Sequence, residues 1–229
     1  MTAALVGYAL AFAAVSACVL GVAARAPSLG RALIPIVAIA ALALLALSSE
    51  APGPFDAAAV LALLLTAGTS LGALVGARIQ HPGHLLPVAV ISSLADLVSV
   101  GTPGAPSDVV AGTPALLSIL AISWPMPGTH DLVAVLGVGD IAFVALYFAA
   151  AREHRLSQAR TATALALGLA ATALVVMATS LAIPALPFLG AAMLVAHPAA
   201  RSLSPSDRRP AAIGFVIIVL ALAALVLFR

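Results

Sequence analysis

Leu136-Gly137-Val138-Gly139-Asp140-Ile141-Ala142-Phe143-Val144-Ala145-Leu146-Tyr147 is an apolar run with a single carboxylate inside it. The run continues to Ala151 before the next charge, Arg152. A charged side chain at membrane depth costs about 2.5–3.5 kcal/mol on insertion scales, so it persists where it has a task. Upstream, Leu94-Ala95-Asp96-Leu97-Val98-Ser99-Val100 repeats the situation, and Asp96 and Asp140 are the only carboxylates in the interior of apolar segments. Two carboxylates on successive segments form a candidate acid–base pair.

Composition sets the frame for those segments. The chain has 229 residues, of which 63% are hydrophobic and 8% charged, and its mean hydropathy is +1.21. A soluble domain carries about 25% charged residues, so a soluble core is excluded. Long apolar runs separated by short polar breaks predict an all-α, polytopic transmembrane bundle. All ten basic residues are arginine, and lysine and asparagine are absent. Both missing residues have A-rich codons, which points to a high-GC prokaryote. Without asparagine there is no N-glycosylation site. The single cysteine, Cys18, cannot form an internal disulfide. The sequence pI near 9.3 comes from arginines scattered over loops, not from a basic stripe interleaved with aromatics, and nucleic-acid binding is not expected.

Eight apolar segments are legible, at 4–24, 32–49, 57–77, 85–101, 131–151, 161–180, 184–197 and 211–228. The first lacks the basic flank of a cleaved signal peptide and is read as a span. The breaks carry turn chemistry, as in His81-Pro82-Gly83-His84. The stretch 109–123 is interrupted by Gly112 and Pro114 and is read as part of an ordered external loop, 102–130. Residues 1–229 thus form one integral domain: spans in 1–84, a central part in 85–197, and a last span at 211–228. Arg25, Arg31, Arg78, Arg152, Arg155, Arg160, Arg201, Arg208 and Arg209 all fall in alternate loops. The positive-inside rule puts those loops in the cytoplasm and both termini outside, in a cell inner membrane.

Depth arithmetic then brings three features together. Asp96 lies five residues before Gly101, or ~8 Å below the outer face, and Asp140 nine residues after Asp131, or ~13 Å below it. The segment 184–197 is only ~20 Å of helix, too short for a ~30 Å hydrocarbon core. Anchored by His197 and Arg201, it would begin ~10 Å below the outer face. Irregular backbone at that depth is tolerated only beside protein or a water-filled cavity.

The string Gly137-Val138-Gly139-Asp140, with Ile141 to Tyr147 after it, resembles the GxGD span of the presenilin and signal peptide peptidase family of intramembrane aspartyl proteases. The stretch around Asp96 is similar to that family's preceding catalytic span, with Ala95 where the family has Tyr or Phe. Pro184-Ala185-Leu186, followed by Pro187-Phe188, resembles its PAL motif. A second such tripeptide, Pro114-Ala115-Leu116, stands in the external loop, and order and depth favour the first. The resemblance covers 88–197. It implies that Asp96 and Asp140 are catalytic, that Gly137, Gly139, Pro184, Ala185 and Leu186 frame the site, and that the substrates are single-span or signal-peptide helices in the lipid bilayer. The inferred orientation resembles that of signal peptide peptidases. Close carboxylates sharing a proton titrate as a unit and supply both base and acid. Gly137 and Gly139 are expected to let helix backbones approach closely.

The same residues admit other readings. A lone intramembrane aspartate is more often an ion-site or hydrogen-bonding residue, so a proton- or cation-coupled transporter using Asp96 and Asp140 as a relay is the alternative. A transporter favours an internal repeat, and none is clear. Prepilin-type peptidases also use a GxGD aspartate but resemble a pattern with lysine two residues later, where this chain has Ala142, and they lack PAL. In a structural membrane protein both aspartates would be replaceable by asparagine. The five histidines (His81, His84, His130, His154 and His197) lie at loops or span ends and read as interfacial. Their spacing shows no metal-ligand pattern, and no metal or organic cofactor is indicated. Trp124 and Tyr147 read as interface or packing residues, and Ser92, Ser93 and Ser99 as interhelical hydrogen-bonders.

Overall fold

The computed structural model describes residues 2–25, 54–101, 112, 120–125, 132–179, 181 and 183–227. The apolar segment 32–49, most of the loop 102–130 and the tripeptide Pro114-Ala115-Leu116 lie outside them. The described residues form seven α-helices, two short 3-10 turns and one two-stranded sheet. In chain order these are α1 (Thr2–Ala23), α2 (Pro54–Gly76), α3 (Leu85–Gly101), β1 (Ala121–Pro125), β2 (Leu132–Gly137), α4 (Val138–Glu153), α5 (Gln158–Thr179), α6 (Leu186–Ala196) and α7 (Pro205–Leu227).

The chain is mostly helical. Among the described residues three stretches are long and apolar enough to cross a membrane: Leu5–Ala23, Pro82–Gly101 and Gln158–Thr179, of 19, 20 and 22 residues. At 1.5 Å per residue these are about 29–33 Å long, the thickness of a hydrocarbon core, which fits a membrane location. Shorter apolar helices at Ala62–Gly76 and Leu186–Ala196 accompany them.

The structure corrects the all-α expectation at one place. The segment 131–151 is not a single helix. Leu132–Gly137 is a strand, antiparallel to Ala121–Pro125, and the helix begins only at Val138. The pairing aligns Ala121 with Gly137 and Pro125 with Leu132, with a bulge between Ile122 and Ser123 that leaves Val135 without an opposite residue. A short apolar run bounded by glycine reads equally well as strand or helix. Here Val133 and Val135 suit a strand, whose neighbour supplies the ladder bonds. A strand, Ala121–Pro125, therefore lies within the expected external loop 102–130, and α4 has 16 residues.

Helix α4 is the hub. Ile141 and every residue from Val144 to Ala151 are buried. Helix α2 lies against it most closely, because Gly68, Gly72 and Gly76 repeat every four residues and form a smooth stripe. A Cβ at Gly68 would stand 2.9 Å from Ile141 Cγ2, while one at Gly72 or Gly76 would collide with the backbone carbonyl of Ala142 or Leu146. Gly168 of α5 meets the Phe188 carbonyl of α6 in the same way, at 3.1 Å. Arg152, in the last turn of α4, donates to the Ala23 and Ala24 carbonyls at 3.4 and 3.1 Å, satisfying the C-terminal end of α1.

Helix α3 packs on α6 and touches α7, and its direct packing on α4 is slight. Helix α7 keeps Ile213, Ile217 and Leu220 exposed.

Two histidines lie deeper or pair more closely than interfacial positions imply. His197 is buried and its Nε2 is 2.9 Å from Thr161 Oγ1, joining the end of α6 to α5. His84 Nε2 is 3.0 Å from Asp207 Oδ2, joining the turn before α3 to the first turn of α7.

The glycine stripe predicts an asymmetry. Gly72→Leu forces α2 off α4 and costs about 1–3 kcal/mol, as overpacking does, and it should lower the thermal midpoint in detergent. Gly214→Leu, at a helical position with open space around it, should not lower the midpoint.

Candidate active site

Asp140 is the third residue of α4, and its place follows from the strand-to-helix change. Gly137 ends β2 in an extended conformation (φ −76°, ψ 155°) and caps the helix. Its backbone N–H, with no helical partner upstream, donates to Asp140 Oδ2 at 3.1 Å. This is the carboxylate half of a capping box, and it also places the charge at the positive end of the helix.

Asp96 lies in the last two turns of α3. Its Oδ2 accepts the Leu186 N–H at 2.9 Å, across 90 residues of sequence, and the Ala185 N–H faces the same carboxylate. Those N–H groups are free for a physical reason. They stand at the start of α6, just after the break at Pro184, where a helix leaves its first donors unsatisfied. Ala185 and Leu186 are both buried.

The two carboxylates are close enough to act on each other electrostatically. The structure therefore brings Asp96, Asp140, Ala185 and Leu186 to one place at the ends of three helices, with Pro184 as the break that opens α6. Both carboxylates are partly exposed, and Ala95 and Leu97 flanking Asp96 are exposed. Among the described residues no group of three or more His, Cys, Asp or Glu could hold a metal ion.

The two motif glycines do a different job from the one expected. Neither is pressed against another helix. A Cβ on Gly137 would meet Asp140 Oδ2 at an ordinary 3.5 Å, and a Cβ on Gly139 would meet nothing within 4 Å. Gly139 is exposed beside the carboxylates. Close helix approach belongs instead to Gly68, Gly72 and Gly76, whose four-residue repeat was present in the sequence as a signal. The hairpin that delivers Gly137 had no comparable signal.

At the far end of α3, Asp207 is tied to Ser204 Oγ at 2.6 Å as well as to His84. The Ser204 hydroxyl and then His84 hold its carboxyl below the usual carboxylate range.

No protein-family model, curated protein or solved structure matches the chain.

Two predictions follow from this geometry. Gly139→Ala should raise stability by about 0.5–1 kcal/mol, because a helical glycine loses more chain entropy than alanine. Gly139→Leu should fill the open space beside the dyad and block its function without lowering the thermal midpoint. A carboxylate with a depressed folded pKa stabilises above its unfolded value, near ~3.9, and the effect is lost as pH falls through the folded value. The gap in thermal midpoint between wild type and Asp207→Asn, open above the unfolded value, should therefore close as pH falls through the folded one.

Proposed function

We propose that the chain is an intramembrane aspartyl protease that hydrolyses peptide bonds within transmembrane helices, with Asp96 and Asp140 as the catalytic pair. The observation that carries this reading is the 2.9 Å bond from Leu186 N–H to Asp96 Oδ2. It joins two motifs that are far apart in sequence, beside a carboxylate of a third. The order aspartate, GxGD, PAL resembles that of the presenilin and signal peptide peptidase family. The proposed topology is eight spans with the N-terminus outside, in the inner membrane of a high-GC prokaryote, as the alternating arginines support.

In this mechanism one carboxylate takes a proton from water as the water oxygen bonds to the scissile carbonyl carbon. The other gives a proton to the departing amide nitrogen as the C–N bond breaks. Like charges ~3 Å apart cannot both ionise, so the pair holds one proton between its two members and needs no other acid or base. The Gly137 N–H occupies Asp140 Oδ2 and leaves the other oxygen to address water. An extended substrate segment needs backbone partners. The outer edge of the sheet ending at Gly137, which carries no third strand among the described residues, and the helix break at Pro184 both offer them next to the dyad. The open space at Gly139 supports entry there.

The test is cleavage of a single-span reporter helix, in both orientations, by purified protein in liposomes. Wild type should cut it, and Asp96→Asn and Asp140→Asn should each reduce cleavage to background with unchanged thermal midpoints. Cleavage that survives both substitutions would exclude the aspartyl mechanism. Proton or cation flux that depends on both aspartates, with no cleavage, would favour the transporter.

A further inference from the structure

Beneath the dyad the same three helices meet again. Ser92 is four residues before Asp96 on α3, Tyr147 seven after Asp140 on α4, and Gly190 four after Leu186 on α6. Offsets of four and seven return to nearly the same helix face, one or two turns away. The three shifts also point the same way along the bundle if α3 runs opposite to α4 and α6, as the proposed topology has it. Two tiers result: Asp96, Asp140 and the Leu186 N–H above, and Ser92, Tyr147 and Gly190 below.

The lower tier is tightly built. Tyr147 is 1% exposed. Its hydroxyl lies against the Ser92 side chain without an aligned hydrogen bond to any group among the described residues. Ser92 Oγ in turn donates to the Ala89 carbonyl at 3.2 Å. A Cβ at Gly190 would stand 3.4 Å from the Tyr147 hydroxyl and 3.0 Å from Ala89 Cβ, so glycine is what lets α3, α4 and α6 converge on this point. A buried hydroxyl without a well-formed partner costs stability, and phenylalanine would fill the same space without that cost. The ring alone therefore does not account for tyrosine.

We propose that Tyr147 is a positioning residue for the dyad, its hydroxyl bearing on Ser92 and so setting how far Asp96 stands from Asp140. Because α3 has little direct packing on α4, its distance from α4 is decided by this contact and by α6. The proposal rests on the aspartyl protease reading for its effect on cleavage, but the carboxylate spacing it sets is measurable without any cleavage. Apart from Asp96, α3 and α6 carry no titratable side chain, and α4 carries, besides Asp140 and Tyr147 itself, only Arg152 and Glu153 in its last turn. A change in how the dyad titrates thus reports its own geometry.

The experiment uses the full chain in detergent and compares wild type, Tyr147→Phe and Ser92→Ala. Infrared titration of the carboxyl bands, assigned with Asp96→Asn and Asp140→Asn, is run beside the pH–rate profile for a single-span reporter helix. In Tyr147→Phe the two apparent titration steps of the coupled pair should move together by about one pH unit. kcat should fall about tenfold, as for a small misplacement of reacting groups, with KM unchanged. Ser92→Ala should reproduce both effects, and it carries the test if Tyr147→Phe does not fold. Titration and pH–rate profile both unmoved, whatever the thermal midpoint, would overturn the proposal and leave Tyr147 as packing. A shifted carboxyl titration in a protein that cleaves no reporter would sustain the positioning role while the protease reading failed.

Discussion

A carboxylate in an apolar bundle needs hydrogen-bond donors, and a helical bundle offers almost none, because its backbone N–H groups are spent on its own ladders. Free N–H groups occur only where helices begin. The site is built from two such beginnings. Helix α4 starts at the end of a strand, so the Gly137 N–H is left for Asp140. Helix α6 starts at a break, so the Leu186 N–H is left for Asp96. Each donor also lies at the positive end of its helix, where a negative charge is favoured. The two interruptions are thus the features that give each acidic group its backbone donor.

Such interruptions weaken the elements that contain them, and the rest of the bundle offsets that by close packing around α4. In lipid, apolar side chains gain little from meeting one another, and association depends on van der Waals contact and short backbone approach. Gly68, Gly72 and Gly76 bring α2 directly against the backbone of α4, Gly168 brings α5 against the backbone of α6, and Gly190 brings α6 against Ala89 of α3 and the Tyr147 hydroxyl. Helix α4 is held on most sides while its first turn, with Gly139 facing open space, is not. Rigidity below and openness above suit a site that must hold two carboxylates still and admit something large.

The pair of strands β1 and β2 shapes the site directly. A strand that turns into a helix at Gly137 leaves that residue's backbone N–H for Asp140. The clamp at the other end of α3, His84 with Asp207 and Ser204, joins the turn before α3 to the start of α7. Helix α3 is therefore tethered at both ends, to α6 through Asp96 and to α7 through the turn that precedes it.

The sequence alone determined the apolar character of the chain, most of the described helices to within a few residues, and the two aspartates as exceptions that composition cannot explain. Charge against hydropathy is a local signal that survives without any fold. It also marked the break at Pro184, because proline and a short apolar length are read directly from the chain. What it could not supply was the strand at 132–137, since Leu132-Val133-Ala134-Val135-Leu136 fits either helix or strand and only its pairing with 121–125 decides between them. Nor did it supply the roles of the glycines. Gly68, Gly72 and Gly76 differ from Gly137 and Gly139 only in what faces them, and that is decided when helices pack. The meeting of Asp96 with Leu186, and of Tyr147 with Ser92, belongs to the tertiary structure for the same reason: periodicity gives a residue its face, but only packing gives that face a neighbour.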